Sequence, residues 1–182
     1  MYSKQNDLTE TKKFSNSENF GYKIMGLLRL TVGWIFLWAF LDKLLGLGFA
    51  TTPEKAWING GSPSAGYLSF ATNPEGPFYW FFTDILAPNS QIIDIALMGM
   101  LLFVGVALIL GIGVRLASLA GIIFMASIWI SAIPLENNPI IDEHIIYVLV
   151  LLIFAVINAG RWLGFGKQWS NNTFVQKYPI LI

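Results

Sequence analysis

The sequence has few charged residues, and that shortage excludes most soluble classes of protein. Only 12% of the 182 residues are charged, while 55% are hydrophobic. Soluble domains carry roughly 25% charged residues, so this chain has too little polar surface to coat a water-soluble globule. Disordered chains are polar and rich in charge, which excludes disorder as well. The composition therefore indicates an integral membrane protein.

The sequence also has no cysteine and a single histidine, His144. Without cysteine there is no thiol–disulfide relay, no iron–sulfur cluster held by thiolates and no covalently attached haem. One histidine excludes a haem that two histidines of this chain would hold. Eleven basic and eleven acidic residues cancel, so no global charge attracts nucleic acid. No metal or haem is therefore expected in this chain, and any electrons must be carried by substrates or by partner subunits.

Four apolar stretches are long enough to cross a bilayer as helices, which needs about 20 mostly apolar residues each. They cover residues 24–41, 95–114, 116–135 and 141–160. The turn at residues 111–115 is so short that the second and third helices must be antiparallel neighbours. Asn138 and Pro139 supply an N-cap and a first-turn proline for the fourth helix. The predicted fold is an all-α integral membrane protein, a four-transmembrane-helix bundle over residues 24–160.

The distribution of basic residues predicts the orientation of this bundle. The polar N-terminus, residues 1–23, and the C-terminal tail, residues 161–182, contain most of the lysine and arginine. Because basic residues collect on the cytoplasmic side, both ends are expected to be cytoplasmic, in a multi-pass protein of the cell (plasma) membrane. The connection over residues 43–91 then lies outside.

The outer connection is too long for a plain linker and is expected to have structure of its own. Its aromatic block, residues 78–82, suits a short helix at the membrane surface, where amphipathic rings prefer to lie. One interpretation is a lid over an opening for a lipid-soluble molecule. The alternative is simple interfacial anchoring.

Ionisable residues collect at the predicted outer ends of the helices. Charges near or within a membrane segment are costly and often mark function, although helix-terminal charges can simply mark the water interface. His144 can titrate near neutral pH, as a proton relay requires. The residues of this outer group are Asp42, Lys43, Asp94, Glu136, Asp142, Glu143 and His144.

Two further features lie within the first helix. Arg29 shares a helical face with Gly26, Gly33 and Phe36, and it either points into the bundle or extends to the inner interface. Trp34 and Trp38 are one turn apart on a neighbouring face. They either line a pocket for a ring-shaped ligand or face lipid.

Taken together, these residues resemble the DoxX/DoxD family of four-helix membrane proteins, and within it the DoxD group of membrane subunits of thiosulfate:quinone oxidoreductases. The resemblance runs from about residue 24 to Trp169. Some relatives are fused to a second subunit, DoxA, and this chain resembles the unfused form. The matching features are Arg29 with Gly33, the pair Asp42-Lys43, the turn at residues 111–115, and Asn138-Pro139-x-x-Asp142-Glu143-His144.

The resemblance implies a thiosulfate dehydrogenase (quinone) type of oxidoreductase subunit. Two thiosulfate ions would be oxidised to tetrathionate, with membrane quinone as the electron acceptor. The resemblance supplies no catalytic residue for this chain. The candidate site residues are therefore chosen by their positions in the predicted helix bundle. For catalysis they are His144, Asp142 and Glu143; for substrate binding, Lys43 and Arg29; for quinone binding, Trp34 and Trp38.

The expected partners are membrane lipid, quinone, a second DoxA-like subunit and, in a homo-oligomer, further copies of the chain. Thiosulfate is a dianion, whereas the outer group contains more carboxylates than cations. The attraction for thiosulfate would come from Lys43, Lys55 and His144 or from a partner subunit. An acidic exterior that protonates the carboxylates would also remove the repulsion. Two other functions stay open: a non-catalytic anchor that assembles a redox complex, and a small transporter.

Overall fold

The protein is all-helical, and no strand occurs among the residues that the structure describes. This structure, a computed structural model, describes residues 2–181, and the side chains of residues 2–19, 70 and 71 are outside that description. The lysines at positions 4, 12 and 13, on which the predicted orientation partly rests, therefore lie outside the described side chains. Four main helices share one apolar core. They are α1 (Tyr2–Leu45), α2 (Ser90–Leu110), α3 (Val114–Ala132) and α4 (Glu143–Ile157).

Three helical segments within residues 2–181 are long and apolar enough to cross a membrane: Phe20–Leu45, Phe81–Leu110 and Val114–Ala132. The second begins ahead of α2, because short helical turns at Phe81–Leu86 and Ala87–Asn89 lead directly into it. Helix α4 is also apolar but has only 15 residues. At roughly 1.5 Å per residue, it is about 22 Å long, shorter than a hydrocarbon core of about 30 Å.

Helix α1 packs along α2, and α3 packs along α4. The first pair approaches closely because a glycine lies at the contact: a Cβ built on Gly105 would lie 2.7 Å from the backbone nitrogen of Leu37. Such small residues let helix backbones meet in a membrane bundle. The turn between α2 and α3 uses Gly111 and Gly113, with φ of 74° and 58°. The predicted antiparallel pair is confirmed.

The connection between α1 and α2 is held by carboxylates at the helix ends. Asp42 is buried, and it accepts hydrogen bonds from the backbone N–H groups of Phe49 at 3.3 Å and Ala50 at 3.0 Å. Asp94, also buried, accepts one from the N–H of Ser64 at 2.7 Å. These two acids hold the backbone at both ends of the connection, and Asp94 gives the N–H of the buried residue Ser64 a partner. The connection is therefore attached to α1 and to α2 by these hydrogen bonds, and it consists of short helical turns.

The start of α4 differs from the prediction. Asp142, not Asn138, is the N-cap: its backbone is extended, and its side chain accepts hydrogen bonds from the N–H groups of His144 and Ile145. Asn138 instead accepts from the N–H groups of Ile140 and Ile141 and so closes a turn ahead of the helix. Asn and Asp can each cap a helix or close a turn. The sequence alone therefore favoured Asn138, which comes first in the chain, as the N-cap. The predicted N-cap was wrong, and His144 lies in the first turn of α4.

Candidate functional site

A polar cavity of about 610 Å³ lies where the end of α3 and the start of α4 meet the connection between α1 and α2. The connection is fastened there by Asn73, whose N–H donates to the carbonyl of Ser131 at 2.9 Å. The side-chain amide of Asn73 donates to the carbonyl of Pro134 at 2.8 Å. The ionisable residues that line the cavity are Glu136, Asp142, Glu143 and His144.

Asp142 and His144 form a hydrogen-bonded pair in this cavity. The Nδ1 atom of His144 lies 2.8 Å from Oδ2 of Asp142, while Oδ1 of Asp142 accepts the N–H of His144 at 3.0 Å. Burial raises the pKa of Asp142, but the hydrogen bonds from His144 and Ile145 and the charge of His144 outweigh it and lower the pKa. The carboxylate therefore stays ionised at neutral pH and orients the imidazole. An oriented imidazole of this kind can exchange protons with a bound molecule.

The same helix start can offer oxygen and nitrogen ligands to an ion. One ligand atom each from Asp142, Glu143 and His144 lies within 4.8 Å of the other two. Glu143 is exposed, so its carboxylate is accessible from the cavity. The expectation of no metal in this chain stays a prediction.

A second cavity, of about 590 Å³, lies between α2 and α3 beneath the connection. Its wall is almost entirely apolar, and its floor is formed by α2 and α3 within their candidate membrane spans. Lys43, at the end of α1, lines it, and among the described side chains it is the sole ionisable one there other than Tyr67. The roof comes from the connection, with Pro63, Ser64, Tyr67, Leu68, Phe81, Phe82 and Leu86.

Tyr67 and Ser131 join the regions of the two cavities. Tyr67 lines the apolar cavity, and its hydroxyl lies 2.6 Å from the hydroxyl of Ser131, near the end of α3. The next residue of α3, Ala132, lines the polar cavity. Burial raises the pKa of Tyr67, the hydrogen bond to Ser131 opposes that rise, and the charge of Asp142 adds to it. The phenol therefore stays protonated at neutral pH and can donate a hydrogen bond.

The comparison with family sequence models decides the family. The model described as DoxX matches residues 24–133, more than half of the chain. The chain belongs to the DoxX family. No curated protein and no solved structure matched it.

The matched region of this DoxX membrane protein contains every residue that lines the apolar cavity. It ends ahead of Asp142, Glu143 and His144. The family match therefore covers the residues of the apolar cavity, and it does not extend to the polar group at the start of α4.

The structure brings some of the predicted site residues together and separates others. His144, Asp142 and Glu143 share the polar cavity, whereas Lys43 lines the apolar one. Sequence reasoning grouped all of these charges beneath one loop because the helix ends share one side of the bundle. The structure divides them between two cavities.

Arg29 lies within α1, well ahead of Lys43 and close to the turn that ends α2, and it is fully buried. Its guanidinium donates to the carbonyls of Ile109 at 3.2 Å, Trp162 at 3.1 Å and Leu163 at 2.9 Å. These bonds join α1 to the end of α2 and to the segment after α4. The side chain points into the bundle, as one of the two interpretations stated. Its role in substrate binding stays a prediction.

Trp34 and Trp38 line neither cavity. Trp34 is 51% exposed, and its ring lies 5.8 Å from that of Trp38. Trp38 in turn packs edge-on against Phe49, at 5.1 Å. This aromatic group lies on the outer face of α1, and its role in quinone binding stays a prediction.

Sequence reasoning did not identify Ser64, Tyr67 or Ser131 as functional residues. Each is an uncharged polar residue, and none belongs to a recognisable motif. Their importance comes from contacts between residues far apart in the chain, such as the 64 positions between Tyr67 and Ser131. The single signal in the sequence was the length of the connection between α1 and α2. That length indicated that the connection has structure, but not which residues it contacts.

Proposed function

We propose that this DoxX-family protein is the membrane subunit of a thiosulfate:quinone oxidoreductase. The observation that carries the proposal is the pair of cavities. A polar cavity with an oriented imidazole and an apolar cavity within the membrane spans approach each other at Tyr67 and Ser131. A reaction between a water-soluble anion and a lipid-soluble electron acceptor needs both environments close together.

The proposed chemistry balances without a redox group in this chain. Two thiosulfate ions each lose one electron and become joined by a new sulfur–sulfur bond, which gives tetrathionate. Reduction of a quinone to a quinol takes those two electrons and two protons from water. Thiosulfate oxidation releases no protons, so protons must be delivered to the quinone.

The described residues suggest which cavity serves each half of the proposed reaction. His144, held by Asp142, is the candidate for proton exchange in the polar cavity, with Glu143 beside it. Tyr67 and Ser131 are placed to pass a proton toward the apolar cavity. Lys43 lines the apolar cavity, so we assign it to the quinone and not to thiosulfate.

The charge of the polar cavity favours a partner subunit. Three carboxylates, those of Glu136, Asp142 and Glu143, line it, and His144, when protonated, is the single cationic group there among the described residues. A dianion such as thiosulfate is repelled by that arrangement. We therefore propose that a DoxA-like partner supplies the thiosulfate site. The same observation favours the second candidate function, a non-catalytic anchor whose partner performs all the chemistry.

The proposed topology has four membrane crossings, with α4 as the fourth. Both termini are then cytoplasmic, and the connection between α1 and α2 lies outside the plasma membrane up to Phe81, where the second candidate span begins. Helix α4 packs along α3, and it presents five exposed apolar side chains that lipid could contact: Ile146, Leu149, Leu152, Ile153 and Val156. The polar cavity then opens to the exterior.

Purified protein, with and without the partner, tests the activity. We expect thiosulfate-dependent reduction of a short-chain quinone analogue, followed by its absorbance, in at least one preparation. His144→Ala is expected to reduce the rate about a hundredfold, the usual scale for loss of an acid–base group. Ile146→Ala, an exposed change in the same helix that lines neither cavity, serves as the control.

The outcomes separate the two candidate functions. Absence of thiosulfate-dependent reduction in both preparations contradicts the oxidoreductase proposal. Full activity of the complex with the His144→Ala variant instead favours the anchor, because the chemistry then does not use this chain's polar cavity.

A further inference from the structure

The apolar cavity contains one polar group that is buried without a partner. Ser64 is 4% exposed, and its hydroxyl has no hydrogen-bond partner among the described residues although it lines the cavity. A buried hydroxyl without a hydrogen-bond partner destabilises the folded protein. The native structure therefore contains a donor that a bound acceptor would satisfy.

The position of Ser64 is set by its backbone and not by its hydroxyl. Its N–H donates to the buried carboxylate of Asp94 at 2.7 Å, so the segment is fixed on α2. The hydroxyl is left for another use. Lys43, half-buried at the end of α1, adds a second donor to the cavity wall.

The cavity is open on its membrane side. Ile123 of α3 lines it and is 63% exposed, in the middle of a candidate membrane span. Phe81 at the roof is exposed as well, whereas Phe82 beside it is buried. A ligand can therefore come from the lipid phase, and the rings of Phe81 and Phe82 offer surfaces against which a flat ring packs.

The charge near Ser64 distinguishes between two lipid-soluble ligands. Lys43 would attract the carboxylate of a fatty acid, but a headgroup bonded to Ser64 would also bring that carboxylate near the one of Asp94, and like charges repel strongly at low dielectric constant. A neutral carbonyl accepts hydrogen bonds from a hydroxyl and an ammonium group without that repulsion. A volume of about 590 Å³ lies within the range of roughly 300–1,000 Å³ that is usual for such ligands.

We propose that the cavity between α2 and α3 is the quinone site, with Ser64 and Lys43 as hydrogen-bond donors to a quinone carbonyl. This inference rests on the proposed function for the identity of the electron acceptor. The site itself rests on the unpartnered hydroxyl, the apolar wall and the opening to lipid. It differs from the surface of Trp34 and Trp38 that the sequence suggested.

Direct binding tests the site independently of any turnover. The protein in nanodiscs is titrated with a short-chain ubiquinone analogue, and a photoreactive form of it is cross-linked and mapped by mass spectrometry. We expect cross-links to residues of the cavity wall. Ser64→Ala is expected to weaken binding about tenfold, the effect of losing one hydrogen bond of ordinary strength.

Matched controls separate the loss of a donor from general damage. Ser69→Ala changes an exposed serine of the same connection and is expected to bind normally. Ala96→Leu adds bulk to the cavity wall and is expected to abolish binding. Gly99→Leu adds similar bulk one turn along α2, where a Cβ meets no atom within 4 Å, and is expected to retain binding.

The possible results test this site separately from the proposed function. Normal affinity in both Ser64→Ala and Ala96→Leu, or cross-links on the Trp34 and Trp38 face, overturns the site. Displacement of the quinone by oleate at lower concentration than by the analogue itself also overturns it, since the site is then one for a lipid acid. Specific quinone binding without thiosulfate-dependent reduction supports the site and contradicts the proposed function.

Discussion

The hydroxyl of Tyr67 lies 2.6 Å from that of Ser131, and this contact joins the connection between α1 and α2 to the end of α3. Tyr67 lines the apolar cavity, and the residue after Ser131 lines the polar one. Two adjoining hydroxyls can pass a proton by exchanging donor and acceptor roles. The contact is therefore one polar link between the regions of the two cavities, beside the hydrogen bond from the Thr72 hydroxyl in the polar cavity to the carbonyl of Leu68 in the apolar one.

Replacing Tyr67 by Phe is expected to slow quinone reduction about a hundredfold without preventing quinone binding. The change removes a proton donor but retains the ring that packs in the cavity wall. Because burial raises the pKa of Tyr67, the wild-type rate is expected to show no loss attributable to this group between pH 6 and about 9. Steady-state rates and a solvent deuterium isotope effect measure the change.

Tyr79→Phe is the matched control, since Tyr79 belongs to the same connection but lines neither cavity. A Tyr67→Phe variant that is as fast as this control excludes the phenol from proton transfer. Ser131→Ala is expected to reproduce the Tyr67→Phe effect, because it interrupts the same contact.

Loss of the N-cap at α4 is expected to destabilise the protein moderately. Asp142→Ala removes the acceptor for two backbone N–H groups and is expected to lower the free energy of unfolding by about 1 kcal/mol. Asp142→Asn retains a capping oxygen and is expected to lower it less. Thermal unfolding in detergent, monitored by circular dichroism, gives both values.

The effect of Asp142 on stability is expected to depend on acid pH. Its pKa is lower in the folded protein than the ordinary value of 3.8, so its ionised form stabilises the fold above that pH. This stabilisation is lost as the pH falls through the folded-state pKa. The difference in stability between wild type and Asp142→Asn should therefore diminish as the pH falls below about 3.8. A difference that instead increases toward acid pH contradicts the assignment.

Arg29 is expected to be a structural residue of large effect. Arg29→Met removes the donors to three partly buried carbonyls at 2.9–3.2 Å. We expect the free energy of unfolding to fall by about 3 kcal/mol, at the upper end for hydrogen bonds to a charged group. Arg161→Met, at an exposed position, is the control and is expected to change stability little. Equal stability of the two variants would contradict a structural role for Arg29.

The number of membrane crossings can be tested by labelling the two ends. Four crossings place both termini on one side, whereas the three long spans alone place them on opposite sides. We expect a periplasmic reporter to be inactive when fused after residue 182 and a cytoplasmic reporter to be active there. The reverse pattern, with the N-terminus inside, contradicts a membrane-crossing α4.

The helices could be predicted from the sequence because they depend on local composition. Long apolar stretches and the glycines of the turn at residues 111–115 specify α2 and α3 almost by themselves. The start of α4 could not be predicted, because Asn138 and Asp142 are both good capping residues and the choice depends on the surrounding backbone. Local pattern does not decide between them.

The candidate site was predictable only in part, for a related reason. Charge and position identified Asp142, Glu143 and His144, and adjacency in the chain ensured that they would be neighbours. The division of the charges between two cavities depends on where the connection lies, and that depends on contacts such as Asp94 with Ser64. These contacts join residues 30 positions apart and leave no periodic trace in the sequence.

The hydrogen bond from the Ser64 N–H to Asp94 has a consequence for affinity. The segment that carries the hydroxyl is immobilised when the protein folds, so little of its conformational freedom remains to be lost when a ligand arrives. Asp94→Asn would weaken that restraint without touching the cavity wall. A headgroup would then bind more weakly for an entropic reason, with its own contacts unchanged.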